Sequence, residues 1–319
     1  MNKKITFKPI LVRFLFLSLI LLCLSPLISA SGALFFGIVF SLIFGNPYLD
    51  YTRRLTQRLL QLSVIGLGAG MNLSIIGHEF FDSLGYTAAG ILLTVLLGLV
   101  MGKLLKTEAT ISLLLTVGTA ICGGSAIAAV APIIRAKPHE ISIALATVFF
   151  LNAAALFIFP PIGHFFNLSQ TQFGYWAALA IHDTSSVIGA AMQYGSKAVE
   201  IATTVKLTRA LWIIPAALLI SYIWHYNSSN HVMDKPKVPF FISGFIVAAA
   251  LVTFVPDLRT TGMFMSAVAK KTLVLTLFFI GSTFVRSTIE SVGIRPFIQG
   301  IVLWIVMASV TLIAILIML

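Results

Sequence analysis

Apolar residues in this chain fall into runs long enough to cross a bilayer as helices, and polar residues collect in short stretches between them. The pattern predicts spans at residues 10–28, 32–45, 58–77, 86–102, 107–134, 139–160, 172–194, 207–225, 238–255, 264–284 and 297–319. These candidates predict an all-α polytopic membrane protein with about 10–11 transmembrane helices. The second and tenth are short or interrupted enough to be re-entrant or tilted. At roughly 30 residues per helix and connection, no room is left for a separate soluble catalytic domain, and residues 1–319 read as one integral membrane domain.

Composition strengthens that picture. The chain is 59% apolar and 10% charged, where a soluble domain needs about a quarter of its residues charged. With 21 Lys/Arg against 10 Asp/Glu, the net charge is +11. The basic residues occur in pairs between apolar runs rather than along one face, which fits an anionic inner leaflet and argues against a nucleic-acid partner. Two cysteines in separate apolar runs, Cys23 and Cys122, argue against a disulfide framework or a cysteine zinc site. No G-x-x-x-x-G-K-[ST] loop is present for ATP. No metal and no cofactor is expected; the expected partners are the lipid bilayer and a small solute, and a homo-oligomer stays open.

The first run follows Lys3, Lys4 and Lys8 and partly resembles a secretory signal peptide. It is longer than the usual apolar core of such a signal and leads straight into more membrane sequence, so it reads as a first transmembrane helix with a cytoplasmic N-terminus, in a bacterial inner membrane. Further along, Arg53, Arg54 and Arg58, then Lys103 and Lys106, fit cytoplasmic connections under simple alternation, whereas Arg135 and Lys137 do not. Either residues 107–137 dip in and return to the same side, or the charge rule fails there. The stretches HEFFDSLG and GHFFNLSQTQ lack Lys and Arg and read as external connections. The polar connection from Tyr226 to Pro239 reads as a solvated linker.

Two segments break the apolar pattern. In TVGTAICGGSAIAAVAPIIRA, Gly123, Gly124 and Ser125 sit between apolar stretches, so a helix can unwind there. In AALAIHDTSSVIGAAMQYG, His182, Asp183, Thr184, Ser185 and Ser186 stand among small and apolar residues. Cys122–Ala129 lines up with Asp183–Ala190 at a constant offset of 61, which hints at two related elements. Backbone groups freed by such breaks are tolerated at bilayer depth only against protein or a polar cavity. Broken helices can aim half-helix N-termini at an anion, while carbonyls and hydroxyls ligate a cation. The competing explanation is tight packing through Gly, Ala and Ser. Asp183 favours the functional side, because a carboxylate at that depth must be protonated, paired or exposed to a polar cavity.

Other polar positions are weaker candidates on their own. Asn152 follows the first break and could pack against it; Asn72, Gln193, Ser282 and Thr283 read as structural hydrogen bonders. The GLGAG run, Gly66 to Gly70, has the wrong spacing and context for a dinucleotide loop and reads as close helix approach. Pro160–Pro161 can end a span, and Pro132 can bend one.

The segments QLSVIGLGAGMNL, KTEATISLLLTVGTAICGGSAIAAVAP and AIHDTSSVIGAA, with TLFFIGSTF near the end, resemble the YeiH family of conserved hypothetical bacterial inner-membrane proteins over nearly the whole chain. The resemblance implies a relation to the cation/proton-antiporter and anion-transporter group, with an inverted repeat and broken helices crossing near the membrane centre. It implies no established substrate. Sulfur oxyanions or sulfonates are a family-level expectation only.

The resulting reading is a non-enzymatic secondary transporter of a small solute, an anion among the options, working by alternating access, with coupling to H+ or Na+ left open. Gly123, Gly124, Ser125, Asn152, His182, Asp183, Thr184, Ser185 and Ser186 are its candidate solute- or ion-binding residues. A channel or a structural, receptor-like membrane protein is the alternative. An intramembrane enzyme would need Cys122 as nucleophile and His182 as base, without a convincing triad.

Overall fold

The computed structural model describes residues 9–25, 27–226, 240–284 and 293–318. All regular structure among them is helical. Five stretches are long and apolar enough to cross a membrane: Ser83–Leu104, His139–Phe165, Ser196–Ile223, Pro256–Ser282 and Ile294–Met318; four shorter apolar helices accompany them. The chain separates into two compact units.

The first unit contains α1 (Pro9–Leu24), α2 (Ala30–Phe44), α3 (Leu49–Gly68), most of α12 (Phe240–Phe254) and α13 (Arg259–Ser282). Glycines set its closest crossings. A Cβ on Gly37 would strike the backbone of Phe278 and Ser282, and one on Gly281 would strike Leu34 and Ile38, so α2 and α13 touch backbone to backbone. The GLGAG run is packed the same way: Gly66 lies on Ala269, Gly68 on Phe245 and Gly70 on Ser266. Asn46 fastens the α2–α3 connection to α13, its Nδ2 donating to Ser282 O at 3.1 Å and to Ser282 Oγ at 3.0 Å. Lys271 Nζ donates to Ser25 O at 2.8 Å just past the end of α1.

The second unit contains α4 (Leu73–Leu104), α5 (Ala109–Ala120), α6 (Gly124–Val130), α7 (Pro138–Phe165), α8 (Gln170–Ala180), α9 (Thr184–Tyr194), α10 (Ser196–Leu211), α11 (Ile213–Tyr226) and α14 (Ile294–Met318). Here α6 folds back along α5. Gly118 O accepts from Gly123 N at 2.8 Å, and a Cβ on Gly118 would lie 2.9 Å from Ile127 Cδ1. Nine residues of continuous helix would separate those positions by about 13 Å. At the mouth of this hairpin, the side-chain ends of Glu108, His139 and Glu140 lie within 4.8 Å of one another, so the chain enters and leaves at one end.

The second pair repeats the arrangement. The rings of Phe173, early in α8, and Tyr194, at the end of α9, stack at 3.8 Å. Tyr194 Oη donates to Leu168 O at 2.6 Å, and Lys197 N donates to Gln170 Oε1 at 3.0 Å. This mouth lies at the C-terminal end of α7, where His164 stacks on Tyr194 at 4.4 Å. Because α7, about 42 Å long, separates the mouths, the hairpins enter from opposite ends.

The offset of 61 holds from the first hairpin through the helix that follows it. It carries Ala109, the start of α5, onto Gln170, the start of α8, and Phe165, the end of α7, onto Tyr226, the end of α11. Each repeat is therefore a re-entrant hairpin followed by a crossing helix, with the second copy inverted.

Several sequence expectations change accordingly. The 107–134 and 172–194 candidates turn back instead of crossing, while the tenth is one continuous helix, α13. The return of the first hairpin places Arg135 and Lys137 at the same end as Lys103 and Lys106, which removes the conflict in the charge pattern. HEFFDSLG is part of α4 rather than a connection, and Pro160 and Pro161 lie inside α7. The linker from Tyr226 to Pro239 lies, beyond Tyr226 itself, outside the described residues.

Candidate functional site

The hairpin tips meet midway along α7. The first turns at Gly123, whose φ of 66° and ψ of −125° suit glycine and strain any residue with a Cβ. Gly123 packs against Asp183 at the second tip; a Cβ there would lie 3.4 Å from Asp183 Cα and from Val148 Cγ1. Thus the two interruptions that the sequence places 61 residues apart are in direct contact. Gly124 rests on Leu145 and Phe149 of α7.

At the second tip, Asp183 is the N-cap of α9. Its Oδ2 accepts from Ser185 N at 3.0 Å and also from Ser185 Oγ. Asn152 holds the approach to that cap, its Oδ1 accepting from His182 N at 3.1 Å and from Asp183 N at 3.3 Å. The peptide donors freed by the unwinding are thus taken up by side chains, as burial requires. Asp183 consequently cancels part of the positive field that the α9 N-terminus would offer an anion.

Positive charge comes instead from α10, from two residues the sequence reading did not select. Lys206 and Arg209 are both fully buried. Lys206 Nζ donates to Ile181 O at 2.7 Å and to Ala178 O at 3.3 Å, closing the end of α8. Arg209 reaches both hairpins: Nε donates to Ala120 O at 2.7 Å, Nη2 to Thr119 O at 3.2 Å, and Nη1 to Leu179 O. The half-helix C-termini, where unpaired carbonyls gather partial negative charge, are thereby satisfied by cations. Among the described residues no carboxylate pairs with either cation. The signal was legible in TTVKLTRAL, two cations three residues apart within one apolar stretch. Starting the predicted span at residue 207 made Lys206 look like a flank.

Several buried polar atoms at the tips have no hydrogen-bond partner among the described residues. These are Asn152 Nδ2, both ring nitrogens of His182, and Thr119 Oγ1. Such groups are costly to bury unless something meets them. Thr184, Ser185 and Ser186 are buried beside them, whereas Ser125 is exposed on α6. With neither His182 nitrogen bonded, the Cys122–His182 pairing that an enzyme would need is not formed. The apolar groove lined by Gly90, Leu93, Leu179 and Met307 contains none of these orphaned atoms. The other polar residues serve packing: Gln193 Nε2 donates to Leu156 O at 3.1 Å, and Ser282 belongs to the first unit.

Opposed re-entrant hairpins meeting at a polar crossing fit a polytopic, transporter-like membrane protein. The chain belongs to the family described as conserved hypothetical protein 698, whose profile matches residues 10–300, in agreement with the YeiH resemblance. A UPF0324 membrane protein of Bdellovibrio bacteriovorus is 57% identical over 298 residues, covering 93% of this chain and 92% of the relative. A UPF0324 membrane protein of Geobacter sulfurreducens is 45% identical, covering 95% and 96% respectively. No solved structure matches the chain.

Proposed function

We propose that this protein is a secondary carrier of a small anionic solute, which binds where the hairpin tips meet and is exposed alternately to the two sides. One observation carries the reading: the crossing holds two fully buried cations, Lys206 and Arg209, against the single carboxylate of Asp183, together with orphaned polar atoms on Asn152, His182 and Thr119. Buried charge without a counter-ion at bilayer depth marks solute and ion pathways. The inverted repeat adds a reason for alternation, since each hairpin opens toward its own end. Asp183 acts as the cap of α9 and tempers the cationic site.

The test is counterflow in proteoliposomes preloaded with inorganic oxyanions, sulfonates, short carboxylates or amino acids. A carrier gives saturable, transient accumulation of labelled external solute for one anionic class, and Arg209→Gln abolishes it. Single-channel currents without counterflow would replace the carrier with a pore, and accumulation confined to cationic or neutral solutes would remove the anion.

A further inference from the structure

The fixed charges at the crossing can be counted. With Lys206 and Arg209 taken as protonated and Asp183 as ionised they sum to +1, and His182, whose ring nitrogens lack partners among the described residues, is taken as the neutral imidazole. Lys206 lies in the electrostatic range of Arg209, Asp183 and Cys122, and His182 in that of both cations. Among the described residues these are the titratable groups at the tips: Cys122, His182 and Asp183 in the two turns and Lys206 and Arg209 on α10, while the middle of α7 presents none. A net charge held out of water is strongly disfavoured, and an occupant of opposite charge removes that penalty.

We infer that the carrier discriminates anions by valence, taking a monoanion in preference to a dianion of the same shape, and that Asp183 sets this preference without touching the solute. The inference rests on the anion-carrier reading above and adds to it the charge of the solute. Asp183 is well placed for the role because its Oδ2 is committed to Ser185, so it acts through its charge rather than as a ligand. The contacts available to an oxyanion are the Asn152 Nδ2 donor, the Thr119 hydroxyl and a His182 ring N–H, all buried and without partners among the described residues. Removing the Asp183 charge raises the crossing from +1 to +2 and moves its best match to a dianion. Removing the Lys206 charge lowers it to 0 and weakens both.

Methanesulfonate and sulfate are the probes, both tetrahedral at sulfur and differing by one charge. Their binding to the purified full-length protein is measured by calorimetry at constant ionic strength. Wild type should bind methanesulfonate at least tenfold more tightly than sulfate. Asp183→Asn should move that ratio at least tenfold toward sulfate, since Asn caps a helix as well as Asp does. Asp183→Ser provides a second neutral cap with the same expectation. Lys206→Gln should weaken both probes, and Lys206→Arg should restore them. A wild-type preference for sulfate, or a ratio that neither Asp183 variant moves, overturns the valence rule and leaves the carrier reading intact. Failure of wild type and Lys206→Arg to bind either anion, with both keeping a cooperative melting transition, overturns the anion reading itself.

Discussion

Gly123 and Arg209 show how much of the crossing depends on single side chains. The backbone of Gly123 lies in a region that other residues enter only under strain, and Asp183 and Val148 stand against it. Gly123→Ala should therefore lower stability by about 1–3 kcal/mol, read as a shift of the unfolding transition in detergent. Arg209→Lys keeps the charge and loses the fork that joins Ala120, Thr119 and Leu179. A lysine ammonium cannot span three carbonyls on two hairpins, so this exchange should cost about 3 kcal/mol. Asn152→Leu keeps the volume but strips the acceptor from one buried and one half-buried amide, and a loss of about 2 kcal/mol is expected from the same measurement.

Among elements, the hairpins make the sharpest claim about topology. Single cysteines at Glu108 and Lys137 should be labelled by an impermeant maleimide from one side of the membrane. Cysteines at Ser169 and Ser196 should be labelled from the other. Labelling of 108 and 137 from opposite sides would mean that α5 and α6 cross, and the inverted repeat would fail with it. Hydropathy could not show the return, because a run that dips and one that crosses have the same apolar content. The charge pattern did carry it: Arg135 and Lys137 conflict with alternation unless the segment turns back. HEFFDSLG misled for the opposite reason, as four polar residues resemble a connection yet lie within one long helix, α4.

For the whole molecule, helical class, membrane setting and the two interruptions were legible because each follows from composition or from glycine and polar residues in apolar surroundings. The convergence of those interruptions was not, since contact between Gly123 and Asp183 depends on how two hairpins fold back, which no local pattern records. Nor were the helix-end bonds of Lys206 and Arg209, whose partners are backbone carbonyls that look alike in any sequence. The offset of 61 exposes a last feature of that duplication. It maps Lys206 onto Leu145 and Arg209 onto Val148, residues that pack against Gly124 and Gly123. One copy is thus cationic where its mate is aliphatic. On the carrier reading proposed above, halves that exchange roles would have end states of unequal energy when empty, would rest facing one compartment, and would show different half-saturation from the two faces although the equilibrium reached is the same.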